Sequence, residues 1–409
     1  MKTTTTYKRI ASLLLAILLL LCGCAQKPQS AASESAAAQT DAGQAAAPTN
    51  TEPAAPEPVS DPAPQPSAPE DPAAIQSESA APAAEEKPAF VWETDAPENH
   101  GMSAEVIDDL NRRFENTEIT SSVIIKDGKI VNEYYQTGCG EESTFPIHSC
   151  SKSITSAIFG IAVDEGLITD LDEPIADYFP ELKESDSEWK QEITIRHLLT
   201  HTSGLRSTEN RWYEWRAASD WQADVLDGPM ASEPGTEFDY STGNTHLLSA
   251  ILQKATGETL CDYGKAHLFD RIGMESIRCG TDAQGVTDGG NGFTLTARDM
   301  ARFGLLYLNR GKWEGEQIIS EDWIDQSTTT QVERYSGSAD YGYQWWVRTF
   351  GSEQYAAYFA QGHGCQFIFV IPDLDLAVTF TSNYYDNSYS GDYWGYVTEI
   401  VESVNSQGK

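Results

Sequence analysis

The spacing of hydrophobic positions changes several times along the chain. Ile10 to Leu21 are apolar apart from Ser12, a run too short to span a bilayer, which takes about 20 apolar residues. Residues 25 to 87 then carry almost no large apolar side chain; Val59 and Ile75 stand alone among Ala, Pro, Ser, Glu and Asp. From Pro88 onward Trp, Tyr and Phe recur and Gly punctuates. Val123-Ile124-Ile125 and Ile130-Val131 flank Lys126-Asp127-Gly128-Lys129. Asp-Gly between apolar runs predicts a hairpin across Ser122 to Tyr135. Ile154, Ala157, Ile158 and Ile161 fall at helical spacing, which predicts a helix from Ser149 to Leu167. Thr296 to Asn309 reads as another helix, with Thr296 as cap and Asp299 at its third position. Strands are predicted at Tyr341–Val347, Gln354–Phe359, Gln366–Ile371 and Leu376–Thr381, and a last helix over Gly391 to Val404. Strands at both ends with helices between predict an α+β class. One antiparallel sheet, built from N- and C-terminal strands and flanked by helices, would carry an inserted, mainly helical lobe.

Composition divides the chain further. The Ala/Pro/Ser/acidic stretch 25–87 cannot bury enough surface to offset its ordering entropy, so it reads as a disordered linker. Residues 88–409 are enough for one large domain. The formal net charge of −35 argues against nucleic acid as a partner and against electrostatic attraction to anionic lipid. Lys2, Lys8 and Arg9 precede the first apolar run, as in an export signal. That run ends in Leu21-Cys22-Gly23-Cys24, which resembles the lipobox of bacterial lipoproteins. The resemblance implies a signal over 1–24, lipidation of Cys24 with palmitate-type chains, and a membrane-anchored protein facing outside the cytoplasm. Two acyl chains hold a protein stably at a bilayer. The competing readings are a plain cleaved signal or an uncleaved one. Cys139, Cys150, Cys261, Cys279 and Cys365 remain. Their odd number and irregular spacing make no disulfide framework legible, and each reads as a small buried apolar residue. No Cys/His cluster has zinc spacing; His197 and His201 lie four apart with no completing carboxylate, so they read as structural. No metal, no cofactor and a monomer are expected.

The candidate chemistry is Ser149-Cys150-Ser151-Lys152 at the start of a helix. Residues three apart share a helical face. A serine hydroxyl needs a base beside it, and burial can bring a lysine toward neutrality to serve as one. A helix N-terminus also offers free backbone N–H groups to a developing oxyanion. The pattern alone is weak, because Ser187-Glu188-Trp189-Lys190 matches it too. Ser187 lacks the apolar helix that follows Ser149. The bland reading of Ser149 is a helix cap beside a solvated lysine.

Longer segments carry more weight. His148 to Ser156 resembles the nucleophile helix of the serine β-lactamase and penicillin-binding-protein superfamily. Ile193 to Leu205, Pro234 to Ser241, Thr294 to Gly311, Tyr341 to Trp346 and Gly362 to Gln366 continue the resemblance in order. It is nearest to the class C-like branch, toward 6-aminohexanoate-dimer hydrolases and esterase-like members. The resemblance implies a serine hydrolase acting on a small ester, amide or short peptide. Ser149 would be its nucleophile, with Lys152 and Tyr240 handling protons. Tyr307 and Tyr385 also precede an Asn by two positions but fall out of order. Thr242 stands where many relatives have a substrate-binding Asn. Gly362-His363-Gly364 stands where they have Lys-Thr-Gly; in that alignment the carboxylate-binding lysine is missing, and a shift by one puts His363 in its place. Cys365 N–H then becomes the candidate oxyanion donor beside Ser149 N–H. Gly362, His363, Gly364 and Thr242 are candidate substrate contacts. These departures count against a true β-lactamase. A slowly acylating penicillin-binding sensor, or a non-catalytic surface-binding lipoprotein, is the alternative. Trp345-Trp346 should divide between core and cleft wall, and Trp212, Tyr213, Trp215 and Trp221 could line an apolar pocket or simply pack.

Overall fold

The computed structural model describes residues 90–334, 339–383 and 392–405. The expected signal, the linker, Cys24 and Tyr385 lie outside them.

Asp127-Gly128 does make the turn of a hairpin. Both residues have positive φ, 52° and 76°, as a two-residue type I′ turn requires. The turn joins β1 (Ile119–Lys126) to β2 (Lys129–Tyr135). A small sheet follows, of β3 (Thr144–Pro146), β4 (Arg278–Cys279) and β5 (Phe293–Thr296), in the order β3-β5-β4. A short hairpin pairs β6 (Lys312–Trp313) with β7 (Glu316–Gln317). The last strands are β8 (Asp340–Tyr341), β9 (Trp346–Phe350), β10 (Tyr355–Gly362), β11 (Gln366–Ile371) and β12 (Leu376–Ser382). The main sheet runs β2-β1-β12-β11-β10-β9-β8 and is antiparallel throughout. The β1·β12 pairing joins the two ends of the domain in one sheet, as the sequence pattern implied.

Alternation along the strands builds two cores. Ile124, Phe367, Phe369 and Phe380 face α1 (Ala104–Phe114) and the C-terminal helix Tyr393–Asn405. Val123, Ile125, Ile368 and Val370 face the opposite way, toward the helical lobe. At the junction of sheet and lobe lies α2 (Ser151–Asp164), buried from Ser151 to Ala162 on every side. Its hydroxyls are satisfied there: Ser153 Oγ donates to Gln344 O at 2.7 Å and Thr155 Oγ1 to Gly289 O at 2.8 Å. Beside it runs α3 (Thr242–Thr256), and α4 (Ala297–Leu308) packs on β1, β11 and β12. Thr296 caps α4 by accepting from Asp299 N at 3.1 Å.

Two expectations need correction. The strand expected over Tyr341–Val347 is broken. Gly342 to Trp345 leave the ladder, Gln344 takes φ +63°, and Gln344 N bonds Leu199 O at 3.2 Å. Tyr343, Gln344 and Trp345 are instead buried against the lobe. Two cysteines also pair: a disulfide joins Cys261 to Cys279, tying the helix Leu260–Gly264 to β4. One pair among five cysteines leaves an odd remainder, which hid it. Cys139, Cys150 and Cys365 stay as thiols.

Candidate active site

The chain reaches Ser149 through a strained turn. His148 has φ +48°, a region non-glycine residues rarely enter and one that recurs at functional sites. Residues His148–Cys150 form one 3-10 turn, and α2 begins at Ser151. Ser149 is partly exposed, while Lys152, one turn on, is buried at 1% exposure.

Lys152 Nζ has three oxygen neighbours: Ser149 Oγ at 3.1 Å, Thr242 Oγ1 at 2.9 Å and Gly290 O at 2.8 Å. As an ammonium it donates to all three. As a neutral amine it keeps two N–H donors for Thr242 and Gly290, and its lone pair faces Ser149. The carbonyl of Gly290 can only accept, so one N–H of the amine is committed to it. Burial pushes the amine down to about 8, against the opposing pull of Glu209 and Asp288. Lys152 is therefore a base close to neutrality.

Tyr240 ends the loop that leads into α3. Its carbonyl accepts from Ser207 Oγ at 2.6 Å. Its ring stacks on Trp346, with centroids 5.7 Å apart, and lies 4.7 Å from the His201 ring. Lys152 Nζ sits 4.9 Å from the centre of the Tyr240 ring. The Ser149 side chain lies close enough to the Tyr240 hydroxyl to favour its ionised form, against the larger effect of burial. Burial, and then the Glu209 charge, raise the phenol well above its ordinary value, so Tyr240 holds its proton and is suited to donate it. Trp345 belongs to the core beside Phe303 and Tyr307, whereas Trp346 is partly exposed at Tyr240.

The β10–β11 turn lies on the other side of Ser149. A Cβ on Gly362 would come within 2.2 Å of Ile147 O, so this strand end packs directly on the backbone just before Ser149. Gly364 and Cys365 both have positive φ, 75° and 64°. The His363 ring stands edge-on to His148 at 5.6 Å. Gly362 and His363 thus lie against the turn that carries Ser149, and Gly364 and Cys365 continue the β10–β11 turn. Cys150 faces away: its Sγ donates to Gln366 O at 3.3 Å, and burial raises its thiol. That favours packing over reactivity.

Thr242 is placed differently from a group held out to substrate. Its hydroxyl donates to Glu209 Oε1 at 2.6 Å and accepts from Lys152. Glu209 also accepts from Thr242 N at 2.7 Å, a carboxylate seated at the N-terminus of α3. Sequence reasoning passed over Glu209, Gly290 and Asp288. Gly290 lies 138 residues from Lys152, and no local spacing links it or Glu209 to α2. Among the other residues singled out, Lys190 turns to Leu226 O at 2.6 Å. His197 Nδ1 accepts from Thr194 N at 3.2 Å in a capping box. Trp215 and Trp221 are buried around His246, and Tyr213 is 88% exposed.

Comparisons with known proteins bear on the family and the fold. The family profile described as Beta-lactamase matches residues 120–401. A 6-aminohexanoate-dimer hydrolase of Paenarthrobacter ureafaciens is 26% identical over 231 residues, covering 53% of this chain and 59% of that protein. The chain thus spans less than two thirds of this curated relative. The D-amino acid amidase from Ochrobactrum anthropi SV3 superposes with a TM-score of 0.58 at 20% identity, covering 76% of this chain and 99% of that one. EstCE1, a hydrolase with promiscuous acyltransferase activity, gives 0.58 at 16% identity, covering 74% and 98%. At such identities the structural likeness shows the fold alone.

Proposed function

Because this chain belongs to the beta-lactamase family, by a match that runs over residues 120–401, we propose that it is a serine hydrolase of small esters, amides or short peptides. The single observation that carries the reading is the Lys152 amine, buried and 3.1 Å from Ser149 Oγ, with its remaining donors held by Thr242 and Gly290. Ser149 Oγ attacks the carbonyl carbon while neutral Lys152 takes the hydroxyl proton. The oxygen that becomes negative faces the backbone N–H groups of Ser149 and Cys365. When the tetrahedral centre collapses, Tyr240 gives its proton to the leaving alcohol or amine and recovers one through Lys152. Water, deprotonated by the same pair, then releases the acid from Ser149. The names of the hydrolase and amidase relatives support this reaction class.

The expected test result is a burst followed by turnover with a short-chain p-nitrophenyl ester, both lost in Ser149→Ala. Full activity in that variant would overturn the assignment. A stable adduct without turnover would move it to the sensor reading. Nitrocefin hydrolysis is expected to be absent, because Thr242 is engaged by Lys152 and Glu209 and no lysine precedes Cys365 in the β10–β11 turn.

We also propose that Cys24 carries a lipid that anchors the enzyme on the outer side of the cell membrane. The Cys261–Cys279 disulfide supports an oxidising location. Cys24→Ala is expected to shift the protein from the membrane fraction to the soluble fraction. Unchanged fractionation would remove the anchor from the account.

A further inference from the structure

The hydrogen bonds behind Lys152 continue past the proposed catalytic residues. Thr242 Oγ1 has one proton. Glu209 Oε1 is an acceptor 2.6 Å away, so the hydroxyl gives its proton there and turns its lone pairs toward Lys152 Nζ at 2.9 Å. The same carboxylate oxygen also takes the N–H of Thr242 at 2.7 Å. That second bond fixes the backbone on which the hydroxyl rides. A continuous chain therefore runs from Ser149 through Lys152 and Thr242 to Glu209. Arg211, two residues on, is committed elsewhere, to Asp224. The buried Asp288 is paired with Arg216. Among the described acidic groups that act on Lys152, Glu209 is the one tied to it by a bridging hydroxyl.

Resting on the serine-hydrolase reading above, we propose that Glu209, acting through the Thr242 hydroxyl, is a positioning residue that orients Lys152 and sets its basicity toward Ser149. Two effects follow. A negative charge beyond the hydroxyl favours the ammonium form, which strengthens Lys152 as a base. A hydroxyl that can only accept from Lys152 leaves the amine lone pair no direction but Ser149. The other groups acting on Lys152 are Asp288 from the loop before β5 and Cys150 from its own turn. The Tyr240 ring lies beside it, and its charge is felt by His148 and His201. Burial lowers both histidines, so they are neutral where Lys152 titrates. Glu209 and Asp288 supply the negative charge, and they can be tested separately.

The measurement is the second-order rate of labelling by a fluorophosphonate as a function of pH, on the purified protein. It reads bond formation at the nucleophile and needs no natural substrate. Removing the charge with Glu209→Gln is expected to lower the midpoint of the acid limb by about half a pH unit or more. The plateau should fall several-fold as the base weakens. Glu209→Asp should restore most of the midpoint. Thr242→Val removes the bridge and is expected to lower the plateau at least tenfold, whereas Thr242→Ser keeps it near wild type. A merely structural Glu209 would lower labelling equally at every pH and leave the midpoint in place. That result overturns the proposal, as does a Thr242→Val protein that labels like wild type. If Glu209→Gln does not fold, the Thr242 pair decides. If Ser149→Ala labels as fast as wild type, the serine-hydrolase reading fails and this inference with it. If Ser149→Ala is inert while the Glu209→Gln midpoint is unmoved, only the inference fails.

Discussion

At Lys152 burial and charge oppose each other. Its position three residues after Ser149 was legible in sequence, because the start of a helix puts those two side chains on one face. Its environment was not legible. Thr242, Gly290 and Glu209 come from distant stretches of chain that only folding brings together. The sequence reading also left Tyr240 open as a proton acceptor. Burial raises its phenol while lowering the Lys152 amine, and on that division the proposed mechanism takes Lys152 as base and Tyr240 as acid. The sign of the pH effect follows. Only neutral Lys152 accepts the Ser149 proton, and the neutral fraction grows tenfold per unit as pH rises toward the value of about 8. Ester turnover, as kcat/KM, should therefore rise with unit slope on the acid side and level off near pH 8. A flat profile between pH 6 and 8 would show that no such base titrates.

At the scale of elements, the reading from sequence succeeded where local rules were enough. The β1–β2 turn, the Thr296 cap and β11 all follow from turn chemistry, capping and apolar runs. It failed between Tyr341 and Val347, where apolar residues signal burial but not pairing. Tyr343, Gln344 and Trp345 are buried against the lobe, and the segment Gly342 to Trp345 is the turn between the paired β8 and β9 rather than one continuous strand. The close approach of α2 to the helix Glu321–Thr328 was also invisible. A Cβ on Gly160 would come within 2.4 Å of the Trp323 indole. Gly160→Ala is expected to cost about 1–3 kcal/mol by overpacking, measured by urea denaturation; a neutral result would mean the two helices can part freely. The disulfide closes a loop of sequence separation 18. Replacing both cysteines by Ser should cost about 2–4 kcal/mol. Because Cys261 N bonds Thr287 Oγ1 at 3.2 Å, near the segment that presents Gly290 to Lys152, activity should also become more sensitive to heat.

For the whole molecule, the α+β class came from strands at both ends and helices between. The structure adds the reason this order works. The β1·β12 pairing closes the sheet around an inserted lobe, and one face of that sheet holds the lobe's core. Helix α2 lies at this junction, preceded by the turn that carries Ser149 against the β10 end. Site and core should therefore be lost together. In urea, tryptophan fluorescence and fluorophosphonate labelling are expected to fall at the same midpoint, and clearly separated midpoints would divide the domain into two folding units. The central claim is that Lys152 activates Ser149. The most direct test is to map the fluorophosphonate adduct by peptide mass spectrometry in the wild-type protein and in Lys152→Met. The account expects the adduct on Ser149, with labelling slowed by about 10²–10⁴-fold in the variant. An adduct on another residue, or a Lys152→Met protein labelled at the wild-type rate, would contradict it.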